Sequence, residues 1–264
     1  MPARAPTVRV GDPTGPFRRR IRIAARPGVV TADLEDDFHH FGVELHHDGE
    51  LVVSMDASAP RYPWSTCPSA GTVLRELHGA PLSPRVTAAA EHSDPRAHCT
   101  HLFDLAALAM AHAARDTAGR CQYDAEIPTV DDAGRASVRL WRDRIPVHTW
   151  TLAFARDGRR RVVDPEPFTV APWHGGFMRW AEASFEPEAA EAAIVLRRAC
   201  EIGLGRGMDL EAYATAGGLR PIMEGVCFSM QPERIERAVR MRGTIRDFAA
   251  APDALLDDED AATA

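Results

Sequence analysis

Two cysteines and several histidines stand where helices and a hairpin are predicted to begin or end. The segment CTHLFDLAALAMAHA places Cys99 and His101 at the start of an apolar helical stretch, and Cys67 directly precedes PSAGTVLRELHG. His39 and His40 stand before an alternating strand. Zinc and iron both accept thiolate and imidazole ligands, usually three or four together. These residues therefore predict a metal site formed by His39, Cys67 and Cys99.

The neighbouring histidines are candidates for proton transfer at such a site. His101 could be a fourth ligand or an acid/base group beside an open coordination position, and His40 is a second candidate for the acid/base role. The long spacing between the ligands leaves an alternative open. Free cysteine is among the most buried residue types and often acts as a small apolar side chain.

Three residues farther along the chain are candidates for substrate binding. His174 lies in PWHGGFMRW, where Gly175 and Gly176 would let the backbone approach a ligand. Arg142 and Arg179 could each bind a substrate carboxylate through paired N–H donors.

The predicted elements bring the first set of residues toward one end of the fold. In HHFGVELHHDGELVVSMDA, apolar residues alternate on both sides of Asp48-Gly49, which predicts a β-hairpin with a two-residue turn. With that turn, the numbers of paired residues add to 97, and His39 and His40 lie at the end of the hairpin opposite the turn. Cys67 falls beside a helix N-cap, where the helix dipole favours a thiolate. The helix after Cys99 is apolar on two faces, which is typical of a buried helix.

The order of elements predicts an α+β fold. An N-terminal antiparallel sheet with two packed helices is followed by a β-meander and a helical C-terminal part. The predicted divisions are a disordered N-terminus at 1–17, a metal-binding part at 18–118, a second part at 119–250 packed on the first, and a disordered acidic tail at 251–264. The C-terminal helices are predicted at His174–Ser184, Pro187–Ile202, Leu210–Ala216 and Pro232–Arg242.

Composition excludes several kinds of protein. All 31 basic residues are arginine, and without lysine the chain can form neither a pyridoxal phosphate Schiff base nor a Walker A phosphate loop. No G-x-G-x-x-G follows a predicted strand, so no nucleotide cofactor is expected. The net charge of −7 argues against a nucleic-acid partner. Five scattered cysteines, no signal-like start and no long apolar run predict a cytoplasmic protein that neither binds nor spans a membrane.

From Arg18 to Phe248 the chain resembles a bacterial family, domain of unknown function 2889. The motifs that carry this resemblance are YPWSTCPSA with VLRELHG, CTHLFDL, SVRLWRD, EAAIVLRRA and CFSMQPERIERAVRMRGTIRDF. A His-Asp pair usually stands in that family where this chain has His39-His40. The family name itself implies no function.

Residues 39–114 also resemble, more weakly, the iron–sulfur scaffold fold of the IscU and SufU type. In that fold a strand-borne Cys-Gly-Asp and two helix-opening cysteines meet around one metal or cluster. The resemblance places His39 at the first cysteine, Cys67 at the second and Cys99 at the third. The scaffold's aspartate falls on Phe41, which cannot coordinate a metal, so the resemblance implies a single ion rather than cluster assembly.

Two functions follow from these patterns. The first is a mononuclear iron or zinc enzyme acting on a small organic molecule, since the tryptophan-containing second half exceeds what a bare scaffold requires. The alternative is a non-catalytic metal or iron–sulfur carrier, or a sulfur acceptor, that uses Cys67 or Cys99. The sequence determines neither the reaction, the metal nor the oligomeric state.

Overall fold

One antiparallel sheet forms the centre of the protein. The computed structural model describes residues 15–115, 118–155 and 159–257. The eight strands lie in the order β4-β3-β2-β1-β5-β6-β7-β8, and each is antiparallel to its neighbours. The strands are β1 Phe17–Arg26, β2 Val29–Asp36, β3 His40–His47, β4 Val52–Arg61, β5 Gly119–Ile127, β6 Arg135–Arg142, β7 Ile145–Phe154 and β8 Arg160–Asp164. This arrangement confirms the predicted α+β class.

In the described ranges four α-helices accompany the sheet: α1 Thr100–Ala114, α2 Phe177–Ser184, α3 Pro187–Gly203 and α4 Arg220–Met223. Helix α1 packs on β2 and β3, whereas α3 packs on β5 and β6. Twelve of the fifteen residues of α1 are buried, in agreement with its apolar sequence. Within the described ranges, no helix has the length and apolarity needed to cross a bilayer.

Short 3-10 helices make up much of the remaining chain. Helix formation after Cys67 occurs as predicted, but over Pro68–Leu77 it takes the tighter 3-10 form. The others are Val86–Glu91, Pro95–Ala97, Phe168–Val170, Leu204–Gly207, Leu210–Ala212, Ala216–Leu219, Phe228–Met230 and Pro252–Ala254.

The two predicted parts of the chain share one sheet. Strand β1, near the start, pairs with the whole length of β5, from Phe17 opposite Ile127 to Ala25 opposite Gly119. Because a strand's side chains alternate between faces, Ile21 and Ile23 are buried on the same side as the apolar residues of β5. The meander that begins at residue 119 therefore continues the first sheet.

The β3–β4 hairpin forms, but its register differs from the predicted one. Val43 lies opposite Ala57, so paired residue numbers add to 100 over the middle of the hairpin rather than to 97. The side chain of Asp48 accepts hydrogen bonds from the backbone N–H groups of Glu50 and Leu51, which makes the connection longer than two residues. Irregularities near His46 shift the register further.

The prediction of a helix over Pro232–Arg242 is wrong. This segment consists of turns, and its end forms isolated bridges, Trp64 with Arg240 and Thr215 with Val239. The Arg240 guanidinium donates to the carbonyl of Pro63 and to Glu211. Local turn bonds extend as far as Ala238, whose N–H donates to the Arg234 carbonyl, and from there the backbone bonds to distant segments instead.

The chain ends differ from their predicted boundaries where the structure describes them. Phe17, assigned to the disordered start, is buried at the beginning of β1. In the predicted tail, Leu255 and Leu256 are buried, and their carbonyls accept hydrogen bonds from Arg20 and Arg22. Apolar burial and these bonds hold residues 251–257 against the sheet. Residues 1–14 and 258–264 lie outside the described part of the chain.

Candidate functional site

A buried ion pair lies at one end of the sheet, on its apolar face. Arg19 falls on the same side of β1 as Ile21 and Ile23, and it pairs across the strands with Asp36 of β2. Both side chains are almost fully buried, at 2% and 0% exposure. Arg19 donates from Nε and Nη2 to Asp36 Oδ2, at 3.0 and 2.5 Å. A buried charge requires a partner of this kind, so the pair fixes the carboxylate.

The other oxygen of Asp36 organises the turn between β2 and β3. Oδ1 accepts the backbone N–H groups of Phe38 and His39, at 2.8 and 2.9 Å. It also lies 3.0 Å from His39 Nδ1. Burial would raise the pKa of the Asp36 carboxyl, but His39 and Arg19 together hold that pKa well below its usual range. Asp36 is therefore an ionised carboxylate next to an imidazole.

The second imidazole comes from the first turn of α1. The ring centroids of His101 and His39 are 3.8 Å apart, with an angle of 30° between the ring planes. Burial is the main cause that lowers the pKa of each ring, and it lowers that of His101 strongly. Both rings are consequently neutral near pH 7. His101 Nε2 is buried and has no hydrogen-bond partner among the described residues.

Asp36, His39 and His101 form a compact set of possible metal ligands. One oxygen or nitrogen atom of each residue lies within 4.8 Å of such an atom in the other two. Within the described ranges, no other set of three or more His, Cys, Asp or Glu residues has this spacing. Two ligands each about 2.1 Å from one ion at a right angle would be about 3.0 Å apart. The distance from His39 Nδ1 to Asp36 Oδ1 is 3.0 Å, which is the length of the hydrogen bond that joins these groups and also the separation expected for two ligands of one ion. By residue type and spacing, the three residues fit a two-histidine, one-carboxylate site.

His39 and His101 also line a cavity of about 420 Å³. Its wall is mostly apolar and combines the first half of the chain with loops from the second. The lining side chains include Phe38, His39, Phe41, Pro63, Trp64, Cys67, Cys99, Thr100, His101, Arg160, Glu201, Ile202, Met208, Leu210, Leu219, Met223, Val226, Cys227, Ser229 and Met230. This cavity is called the site cavity below.

The structure brings the predicted residues His39, Cys67 and Cys99 to the site cavity, but not within ligand distance as a set. Cys99 lies beside the histidines, with its Sγ 4.0 Å from His101 Nδ1. Cys67 lies near the hydroxyl of Ser229 at 3.5 Å. Burial raises the pKa of the Cys67 thiol to about 12 and raises that of Cys99 well above its ordinary value. Desolvation thus outweighs the expected effect of a helix N-terminus, and both groups remain thiols.

The other predicted site residues lie away from the cavity wall. His40 lies on β3 opposite Glu35, and its Nδ1 is 3.9 Å from that carboxylate. Arg142 forms an ion pair with Glu188 at 2.5 Å. Arg179 is exposed on α2. The placement of His40 follows from strand alternation, since its neighbour Phe41 takes the face that meets the cavity.

His174 is exposed and lies next to a lining residue rather than in the lining. Its Nε2 accepts the backbone N–H of Arg160 at 3.2 Å. Gly175 and Gly176, where a ligand was predicted to approach the backbone, do not line the site cavity.

Sequence patterns could have revealed two site residues that were missed. Arg19 follows Phe17 and precedes Ile21 on the apolar side of an alternating strand, and Asp36 follows Leu34 on the apolar side of the next. Opposite charges on the buried sides of adjacent strands indicate a buried ion pair. Cys227, a third thiol in the cavity wall, lies in a loop and has no comparable pattern.

The fold and the site define an α+β protein with one central sheet and a histidine–carboxylate cluster beside an apolar cavity. Residues 22–115 match the sequence model of a family described as "Protein of unknown function (DUF2889)". This match agrees with the resemblance noted in the sequence over about a third of the chain, and the remainder of that resemblance, toward Phe248, lies outside the matched residues. No curated protein and no solved structure matches the chain. The resemblance to iron–sulfur scaffolds stays a prediction.

Proposed function

We propose that this protein is a mononuclear metal-dependent enzyme that acts on a small, largely apolar organic molecule. The observation that carries the proposal is the His39–His101–Asp36 cluster on the wall of an apolar cavity. Two imidazoles and one carboxylate with open positions are the ligand set typical of non-haem iron(II), and zinc accepts the same donors. The metal proposed is therefore iron(II) or zinc, with Cys67 and Cys99 as wall residues.

The state of the three side chains supports this ligand set. Imidazole binds metals in its neutral form, which burial favours for both histidines. Asp36 supplies a negative charge that would offset the charge of an ion, and Arg19 holds it in place. His101 Nε2 is a buried nitrogen for which an ion would provide the missing partner.

The chemistry follows from where the cluster lies. A bound ion would polarise a substrate group or activate a water or dioxygen molecule. The apolar wall around it would exclude bulk water and strengthen the electrostatic interactions within the cavity. Trp64 and Phe41 contribute part of this wall.

Metal analysis of the full chain tests the proposal. Protein purified without added metal, or reconstituted anaerobically with iron(II) or zinc, should contain close to one ion per chain. We expect His39→Ala and His101→Ala to lose most of this metal while remaining folded by circular dichroism. His46→Ala is the matched control, because His46 is a partly exposed histidine outside the cavity.

Three outcomes would contradict the proposal. A folded wild-type chain that takes up neither metal removes the proposed function. Loss of metal in Cys67→Ala and Cys99→Ala, with retention in His101→Ala, would restore the thiolate set predicted from the sequence and overturn the histidine–carboxylate set. Acid-labile sulfide in the purified protein would favour the alternative of an iron–sulfur carrier.

A further inference from the structure

The charged groups of the site cavity indicate which kind of molecule it accepts. Besides the two histidines, the charged or titratable side chains on the described part of its wall are Arg160, Glu201 and three thiols. The three thiols, Cys67, Cys99 and Cys227, are buried or half-buried in this wall and add to its apolar surface. The two charged groups on this wall differ in whether other side chains neutralise them.

Glu201 is neutralised by its own helix. Its carboxylate accepts hydrogen bonds from Arg197 at 2.7 Å and from Arg198 at 3.2 Å. Arg198 is shared with Asp104, whose carboxylate lies 2.7 Å from its Nε. On this side of the cavity there are two carboxylates, Glu201 and Asp104, and three guanidinium groups, namely Arg197, Arg198 and Arg160. The net charge of these five side chains is +1.

Among the described residues of this group, Arg160 is the guanidinium without a carboxylate partner. No described side chain lies within ion-pair or hydrogen-bond distance of it, although it is partly buried against the apolar wall. Its place is fixed by the sheet: it lies on β8 on the same side as buried Val162, and its backbone N–H donates to His174. Removing a guanidinium from water without a partner is unfavourable, and a planar carboxylate is the group that best satisfies its paired N–H donors.

We infer that the substrate is a monocarboxylate with an apolar body, whose carboxylate binds Arg160 while the body fills the site cavity beside His39 and His101. The inference rests on the proposed function, because it identifies the substrate class of that same site. Paired N–H donors on one side and an apolar wall elsewhere would orient such a molecule with its body toward the cluster.

Calorimetric titration of the full chain with 4-phenylbutyrate and with 4-phenylbutanol tests the inference. The two probes share an apolar body and differ in charge. We expect the acid to bind at least about ten times more tightly than the alcohol, since a charge-assisted bond in a desolvated site contributes this much or more. Arg160→Gln should abolish the preference by weakening the acid and leaving the alcohol nearly unchanged.

Arg161→Gln is the matched control. Arg161 is the next residue of β8, points to the opposite side and is exposed, so its loss changes the net charge equally without touching the cavity. We expect it to bind both probes as the wild type does. Equal affinity for acid and alcohol, an acid preference that survives Arg160→Gln, or binding of neither probe would overturn the inference.

Repeating the titration on chelator-treated and metal-loaded protein separates this inference from the proposed function. If Arg160→Gln abolishes the acid preference in a chain that binds no metal, the carboxylate site stands and the proposed metal enzyme fails. If the preference requires metal and disappears in His39→Ala but not in Arg160→Gln, the carboxylate binds the ion. In that case the metal site stands and the inference about Arg160 fails.

Discussion

Charged side chains on the apolar face of a sheet are the residue-scale feature that defines this site. The alternation of β1 and β2 was visible in the sequence, yet Arg19 and Asp36 were not predicted, because strand patterns are read from apolar residues and treat charges as outward. His39, Cys67 and Cys99 were predicted from residue type and do line one cavity. The spacing of residues along the sequence does not give the directions of their side chains, which decide whose ligand atoms lie close together. In the structure the atoms close to His39 belong to Asp36 and His101, and those of the two thiols are not part of this set.

A second buried carboxylate, Glu191, gives a prediction about pH. It accepts hydrogen bonds from His112 at 2.9 Å, Tyr123 at 2.8 Å and Arg115 at 2.5 Å, and so joins α1, α3 and β5. Burial opposes its ionisation, but His112 and Arg115 outweigh burial and lower its pKa from 4.5 to about 2. Because the folded pKa is the lower one, ionised Glu191 stabilises the fold above pH 4.5, and this contribution is lost as the pH falls toward 2.

The expected size of this effect is about 3 kcal/mol in the free energy of unfolding. Between pH 5 and pH 2, urea unfolding should show that the wild type loses this much more free energy of unfolding than Glu191→Gln does. The glutamine side chain of that variant does not titrate. Glu186→Gln removes an equal charge from an exposed position just before α3 and should follow the wild-type curve. If the free energy of unfolding fell equally with pH in the wild type and in Glu191→Gln, the Glu191 carboxyl would have the same pKa in the folded and unfolded states, contrary to this prediction.

At the scale of elements, the apolar periodicity of the sequence correctly predicted those helices whose backbone bonds lie within one continuous segment. The apolar helix α1 and the start of α3 at Pro187 agree with the prediction. The segment 232–242 was predicted as a helix, but Arg240 near its end bonds to Pro63 and Glu211, which are far away along the chain. The hairpin register was also missed, because it depends on the longer connection at Asp48 and on an irregularity between His46 and His47. Such contacts override propensity and leave no periodic signal.

The end of α3 provides a prediction about packing between elements. Gly203 is in the right-handed helical conformation, so alanine can adopt its backbone angles. A methyl group there would lie 3.0 Å from Phe17 and 3.3 Å from Ile127, which are buried on β1 and β5. Overpacking of this kind costs about 1–3 kcal/mol, whereas the gain in helix propensity is at most about 1 kcal/mol. We therefore expect Gly203→Ala to lower the free energy of unfolding.

Gly207→Ala is the matched substitution for that measurement. It changes glycine to alanine four residues later, at an exposed position where an added methyl group meets no atom within 4 Å. Its free energy of unfolding in urea should equal or slightly exceed that of the wild type. A Gly203→Ala chain as stable as Gly207→Ala would mean that Phe17 and Ile127 move aside without loss.

At the scale of the whole molecule, the site exists because two distant parts of the chain meet. The cluster of Asp36, His39 and His101 falls within the residues that match the family, 22–115. The opposite wall of the cavity comes from residues 160–230, including Arg160, Met208 and Cys227. The sequence indicated the first part through its motifs. The second could not be predicted, since loops and short 3-10 helices form most of it and no pattern specifies where they pack.

The continuity of the sheet predicts that the two parts unfold together. Leu152 on β7 is 1% exposed, and its replacement by alanine should cost about 2–5 kcal/mol through the cavity it leaves. In a single cooperative unit this loss reaches the distant strands β2 and β3, although neither contacts β7 in the sheet order. Hydrogen exchange measured by mass spectrometry should therefore accelerate in Leu152→Ala by about 30-fold or more in β2 and β3 as well as in β7. Exchange that accelerates in β7 alone would show that residues 119–250 open independently and that the β1–β5 pairing does not couple the two parts of the chain.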